Sequence, residues 1–232
     1  MPSIELLGLR KSYRKGAETI DALAGIDLAV DERGLVAVVG PSGSGKSTLL
    51  HLIGAMDRPT AGEVVVAGQA LNRLLQKELT RFRRQTVGFV FQTFNLIPNL
   101  TAIENVALPM EFNGVPKAAR LARATSLLEG FQLGHRLRHL PRELSGGEMQ
   151  RVAIARAIAN EPPLVLADEP AGNLDSQSGE MVYDLLRRIA RERTVLVVTH
   201  AEDFARSADR VLRIRDGRLL GASVAPSKLR PV

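Results

Sequence analysis

Neither cysteine nor tryptophan occurs in this chain, and only 4% of its residues are aromatic. Without cysteine there are no disulfides and no thiolate metal sites, which fits a reducing compartment such as the cytoplasm. So few rings exclude recognition by stacked rows of bases or sugars, and any ring contact falls to one or two residues. Long apolar runs are also missing, because charges interrupt every stretch that would otherwise span a bilayer. The opening Met1-Pro2-Ser3-Ile4-Glu5 lacks the basic start and apolar stretch of a signal peptide. A soluble chain is expected.

Against these absences stand 232 residues that are 45% apolar, enough to bury the core of one compact unit. The formal charge is +6, but the basic residues are scattered in small groups: Arg10 to Lys15, Arg81 to Arg84 and Arg187 to Arg193. That dispersion reads as solvated helix faces rather than a nucleic-acid stripe, so no nucleic-acid partner is expected. The same charges suit a position near an anionic membrane leaflet.

Short Val/Ile/Leu runs recur at Leu35–Val39, Val64–Val66, Val87–Phe91, Leu164–Ala167, Val195–Val198 and Val211–Ile214, with helix-length stretches between them. Continuous apolar runs predict strands buried on both faces, as in a doubly wound α/β sheet. From Thr93 to Pro163 this signal gives way to helical periodicity broken at Pro98, Pro116 and Pro141, which predicts an inserted helical subdomain over 93–163. Residues 1–92 and 164–225 then form the core of a single domain. Ile4 to Val30 alternates like antiparallel strands and is assigned to an accessory sheet, and a short basic tail follows Arg218.

Gly40-Pro41-Ser42-Gly43-Ser44-Gly45-Lys46-Ser47-Thr48 follows the first of these strands and opens a helix through Leu50, Leu52 and Ile53. This is the G-x-x-x-x-G-K-[ST] phosphate loop in its strand-loop-helix setting. Its glycines let consecutive N–H groups converge on phosphate oxygens at a helix N-terminus. Lys46 is expected to neutralise the β and γ phosphates, and Ser47 to offer its hydroxyl to Mg²⁺. The bland alternative is a glycine-rich turn, but chance yields the pattern in a chain of this length on the order of 1% of the time.

A second candidate lies where the strand Leu164-Val165-Leu166-Ala167 ends in Asp168 and Glu169. Ligands of such sheets bind at the carboxyl ends of strands. Asp168 is placed to hold Mg²⁺ through water, and Glu169 to polarise an attacking water. Two acids after a strand are commonly a mere loop start, and they gain weight from the phosphate loop.

Leu144-Ser145-Gly146-Gly147-Glu148, followed by Gln150 and Arg151, resembles the signature motif of ABC ATPases and stands between the other two motifs in that family's order. Physically it is another helix start, with Ser145 as N-cap, Glu148 closing a capping box, and the Gly146 and Gly147 amides open to an anion. The resemblance covers Ile4 to Arg218 and implies a P-loop NTPase core with a mainly parallel sheet, an N-terminal antiparallel β subdomain and the inserted helical subdomain. It further implies that Tyr13 stacks on adenine, that Gln92 meets Mg²⁺ and the attacking water, and that His200 contacts the γ phosphate. Asn173-Leu174-Asp175 resembles the loop that crosses a dimer interface. His135 and His139 match no motif and read as solvated surface. Two residues depart from the common pattern: Glu148 stands where many members have Gln, and Ala171 where many have Thr.

The resemblance also implies two copies stacked head to tail, each ATP shared between Gly40–Thr48 of one copy and Ser145, Gly146 and Gly147 of the other. After Gln92, Thr93-Phe94-Asn95-Leu96-Ile97-Pro98-Asn99-Leu100-Thr101, then Glu104-Asn105-Val106, and later Ala167-Asp168-Glu169-Pro170-Ala171-Gly172-Asn173-Leu174-Asp175 look like the lipoprotein-releasing and macrolide-export group, whose ATPases drive a separate membrane permease. That would place the chain on the cytoplasmic face of the inner membrane. Phe94, Leu96 and Ile97 are candidates for a groove that receives a permease helix, or for subdomain core. An importer ATPase, or an ATPase that regulates a cell-wall enzyme through a membrane partner, would share every one of these motifs.

Overall fold

The computed structural model describes residues 3–16, 18–30 and 33–224. Most of the basic tail therefore lies outside the described residues. Six strands form the central sheet: β3 (Gly34–Val39), β6 (Val87–Val90), β7 (Leu164–Asp168), β8 (Thr194–Val198), β9 (Arg210–Arg215) and β10 (Arg218–Val224), in the order β10-β9-β3-β8-β7-β6. All pairings are parallel except that of β10, which returns antiparallel on β9.

The alternation of side chains along a strand divides this sheet between two cores. Val36, Val38, Leu166, Leu196 and Val198 face one side, and Leu35, Ala37, Val39, Val165, Val195 and Val197 face the other. On the first side pack helices α1 (Lys46–Ile53) and α2 (Gln76–Thr86) and a second, antiparallel sheet. On the other pack α6 (Ser176–Ala190) and α7 (Glu202–Arg206), which bring Val182, Leu186, Ile189 and Phe204.

The antiparallel sheet is built from β1 (Ile4–Lys15), β2 (Glu18–Val30), β4 (Ala61–Val66) and β5 (Gln69–Ala70), in the order β2-β1-β4-β5. The Val64–Val66 run therefore differs from its expected place in the central sheet: it pairs antiparallel with β1, Val66 opposite Ile4. Val64 and Val66 are buried while Val65 between them is half-buried, the one-sided pattern of a sheet with a single covered face.

Helices α3 (Ala102–Phe112), α4 (Lys117–Gly130) and α5 (Gly146–Ile158) share a third core around Val106, Met110, Leu128 and Val152. Pro116 stands immediately before α4, where a missing N–H costs nothing. Asn105, fully buried, satisfies itself on the loop that leads into α3: its Nδ2 donates to the carbonyls of Ile97, Leu100 and Thr101, and its Oδ1 accepts from the Ile97 N–H. The central sheet meets this helical unit where Gly88 of β6 passes α5, so closely that a Cβ there would stand 2.2 Å from the Ala157 carbonyl oxygen.

Candidate functional site

Because β3 is buried along its whole length, the loop after it emerges at the carboxyl edge of the sheet. The loop curls because two positions allow no side chain. A Cβ on Gly40 would lie 2.0 Å from the Ile214 carbonyl oxygen, and one on Gly45 would lie 2.3 Å from that of Ala22. Gly45 is also left-handed, with φ of 101°, as it caps α1. Backbone of β2 and β9, far apart in the chain, thus walls the loop, and Gly217 N–H adds a hydrogen bond to the Ser44 carbonyl at 3.1 Å.

Lys46 is buried inside this curl, its Nζ donating to the carbonyls of Gly40 and Pro41 at 2.9 and 2.8 Å. Next to it the Ser47 hydroxyl donates to Asp168 Oδ1 at 3.1 Å, across 121 residues of sequence. Glu169 takes a left-handed φ of 47°, a strained conformation for a non-glycine residue, and its carboxylate Oε1 lies 3.0 Å from His200 Nε2. Burial pushes the Glu169 carboxyl above its ordinary value, by more than the neighbouring His200 and Lys46 pull it down.

Ser42, Gly43, Gly45, Lys46, Ser47, Thr48, Gln92, Glu169, Gly172 and His200, with Ala22 from β2, line one cavity of about 540 Å³. Gln92 is tied to Asn173 twice: its Nε2 donates to Asn173 Oδ1, and Asn173 Nδ2 donates to the Gln92 carbonyl, both at 3.3 Å. Tyr13 stands on β1 outside that lining. Its hydroxyl donates to Asp57 Oδ2 at 2.8 Å, and Lys11 Nζ sits 4.8 Å from its ring centroid while bonding Asp57 Oδ1 at 2.7 Å. Burial and the bond to Asp57 raise the Tyr13 phenol.

The signature residues form a separate surface. Ser145 caps α5: its Oγ accepts from the Glu148 N–H at 3.2 Å, and Glu148 Oε2 accepts from the Ser145 N–H at 2.8 Å. The other carboxylate oxygen accepts from Arg136 Nε at 2.9 Å. Burial would raise the Glu148 carboxyl, but these hydrogen bonds outweigh it and hold the group below its ordinary value. Gly147 lies against α6, where a Cβ would meet Ser178 Oγ at 2.7 Å, and Asp175 caps that helix through Ser178 N–H at 3.0 Å. Ser145, Gly146, Gly147, Glu148 and Asp175 are all absent from the lining of the phosphate-loop cavity.

Several partners escaped the sequence reading, among them Asp57 and Lys11 at Tyr13, Ala22 in the cavity wall and Arg136 at Glu148. Each joins positions far apart in the chain or without a motif of its own. His139 is half-buried rather than solvated, its Nε2 3.1 Å from Arg136 Nη1. Phe94, Leu96 and Ile97 do not line the cleft nearest to them. That cleft, of about 560 Å³, opens between α2, β6, α3 and α5, lined by Phe89, Phe91, Asn95, Leu108, Pro109 and Phe112 among others. Phe94 and Asn95 take left-handed φ angles of 60° and 49°, and Leu96 packs instead on the helical core.

Residues 23–172 match the family model described as ABC transporter. The chain is 46% identical over 229 residues to the lipoprotein-releasing system ATP-binding protein LolD of Shewanella frigidimarina, a match covering 97% of this chain and 96% of that one. It is 48% identical over 220 residues to the macrolide export ATP-binding/permease protein MacB of Brucella melitensis, covering 94% of this chain and 34% of MacB. A solved dimeric structure of a post-hydrolysis state of the ATP-binding cassette MJ0796, bound to ADP and Pi, has a TM-score of 0.90 at 43% identity and covers 99% of this chain. Phosphate loop, acidic strand end and signature helix thus sit in a framework shared with these proteins almost throughout, and the chain belongs to the ABC transporter family as an ATP-binding, ATP-hydrolysing cassette.

Proposed function

We propose that this cassette closes as a head-to-tail dimer around two ATP molecules and thereby drives a separate permease of the lipoprotein-release or macrolide-export type. The observation that carries the reading is the division of anion-accepting groups between two surfaces of one chain. Lys46 and the loop amides line the cavity, whereas Ser145, Gly146 and Gly147 present a second helix N-terminus that lies outside its lining. A second copy brings its signature to the first copy's cavity by two-fold symmetry.

Within that arrangement Lys46 neutralises the β and γ phosphates and Tyr13 stacks on the adenine. The oxygen donors of Ser47 and Asp168, with Gln92 nearby, suit Mg²⁺, which takes few protein ligands and keeps waters and phosphate oxygens. Bound there, Mg²⁺ supplies neutralisation of phosphate charge. Glu169 is the base that polarises the attacking water; His200 orients its carboxylate and reaches toward the γ phosphate. ATP favours the closed dimer and ADP the open one, so the nucleotide does work through its different affinity for the two states.

No helix among the described residues is long and apolar enough to cross a membrane, and a separate permease is the partner that would carry the force to the bilayer. The cleft lined by Phe89, Phe91 and Phe112 suits an amphipathic helix of the permease cytoplasmic side. It adjoins the chain segment carrying Gln92, which would couple docking to the site. MacB carries ATP-binding and permease functions in one protein by its name, which supports a permease as the occupant.

ATPase rate measured against protein concentration, with light scattering alongside, tests the dimer. The rate per molecule should rise with concentration, and Glu169→Gln should accumulate as an ATP-bound dimer with almost no turnover. A flat specific activity over concentrations where only monomer scatters, with full activity in Glu169→Gln, would overturn both the shared site and the assigned base.

A further inference from the structure

The signature helix carries a contradiction in its charges. Its first turn offers amides and a hydroxyl to a phosphate, yet Glu148, in that same turn, is an anion held ionised by its hydrogen bonds. An ionised carboxylate beside a helix N-terminus satisfies the helix dipole by itself and repels a second anion. The chain resolves this from a distant turn. Arg136 reaches Glu148 Oε1 through Nε at 2.9 Å, and the pair is mostly sheltered, with side-chain exposures of 34% for Arg136 and 14% for Glu148.

Both ends of Arg136 are held. Its Nη1 lies 3.1 Å from His139 Nε2, and since a guanidinium can only donate, that nitrogen is the acceptor. Glu148 is likewise divided, one oxygen on the Ser145 N–H and the other on Arg136. Ser145 Oγ accepts from the Glu148 N–H, which leaves its own proton free to donate outward.

We infer that Arg136 is a positioning residue of the ATP sandwich: it cancels the charge of Glu148 and fixes that carboxylate as a cap, so that Ser145, Gly146 and Gly147 can receive the γ phosphate held by the partner copy. The inference rests on the shared-site dimer proposed above. Arg136 itself touches no phosphate; it acts through Glu148. A purely structural pair would matter for folding whatever charge the site receives. A compensating pair matters only while Glu148 is charged.

The test titrates ATP-dependent dimerisation of Glu169→Gln protein by light scattering, while fluorescent-nucleotide binding to the monomer, through its own phosphate loop, reports that each variant is folded. Arg136→Gln should weaken ATP-dependent dimerisation about tenfold, the scale of one uncompensated charge near a phosphate in a partly solvated site. In the Glu148→Gln background the same Arg136→Gln change should cost less than about threefold, because no charge is left to cancel. Arg136→Lys, which keeps the charge, should retain most of the affinity.

Equal losses from Arg136→Gln in both backgrounds, or a loss in Arg136→Lys as large as in Arg136→Gln, would overturn charge compensation in favour of packing. A parent that remains monomeric in ATP while binding nucleotide overturns the shared site, and this role with it. In that case the failure appears before Arg136 is altered, which separates the two.

Discussion

Gln92 and Asn173, 81 positions apart, hold each other by reciprocal hydrogen bonds of side-chain nitrogen to side-chain oxygen and side-chain nitrogen to carbonyl, both at 3.3 Å. Gln92 lines the phosphate-loop cavity and Asn173 follows Gly172, which lines it too, so the orientation of Gln92 depends on the segment after Glu169. Asn173→Ala removes both bonds and leaves Gln92 free to rotate away from the position proposed for the attacking water. Both bonds are long and exposed, so kcat should fall by only about three- to tenfold, with KM for ATP nearly unchanged. Steady-state ATPase kinetics at saturating and limiting ATP check the split.

Glu169 yields a pH profile. Its carboxyl is raised by burial, and only the ionised form can act as base. On acidification, activity should therefore begin to fail at a higher pH than an exposed glutamate would set. The acid limb of kcat/KM at constant ionic strength reports it, and a limb within the ordinary carboxylate range would count against Glu169 as the base.

Asp57 binds Lys11 and Tyr13 together, and no local pattern announces it. Replacing it by Asn weakens the grip on the phenol and frees the ring proposed to stack on the adenine. KM for ATP should rise several-fold while kcat at saturation stays near the parent value, which is the mark of lost ground-state binding. The group also affects stability. Burial works against ionisation, but hydrogen bonds from Lys11, Tyr13 and the Arg58 N–H hold the Asp57 carboxyl below its ordinary value. A depressed carboxyl contributes stability above its unfolded pKa and loses it as pH falls through the folded one. The stability difference between parent and Asp57→Asn should accordingly shrink toward zero below the ordinary aspartate range, as urea unfolding across pH would reveal.

Gly88 tests the packing of the sheet on the helical unit. A Cβ there meets backbone at 2.2 Å, and backbone cannot rotate aside. Gly88→Ala should destabilise the fold by about 1–3 kcal/mol, the usual cost of forcing volume into a packed interface. A lowered urea midpoint with an unchanged slope is the expected result.

The phosphate loop, the acidic strand end and the signature helix were legible because each is a contiguous run whose chemistry and local geometry coincide. The central parallel strands β3, β7 and β8 were legible for the same reason, since a strand buried on both faces writes an unbroken apolar run. Val64–Val66 was not, because three apolar residues look alike whether one face or both are covered, and only pairing with Ile4 decides which sheet takes them. The pairs Tyr13–Asp57, Gln92–Asn173 and Arg136–Glu148 were invisible for another reason. Each is a single side chain meeting another across a separation that carries no period. The open cleft beside β6 was not legible either, because the left-handed turn at Phe94 and Asn95 is one that no composition signals for a phenylalanine.

The walls of the phosphate loop carry a consequence in time. Ala22 closes one side of the curl and Ile214 the other, and Gly217 pins Ser44. A ribosome finishes the motif itself when it reaches Thr48, but the wall at Ile214 comes from β9, which is made much later. In a nascent chain the curl therefore cannot be walled on both sides before β9 has been made.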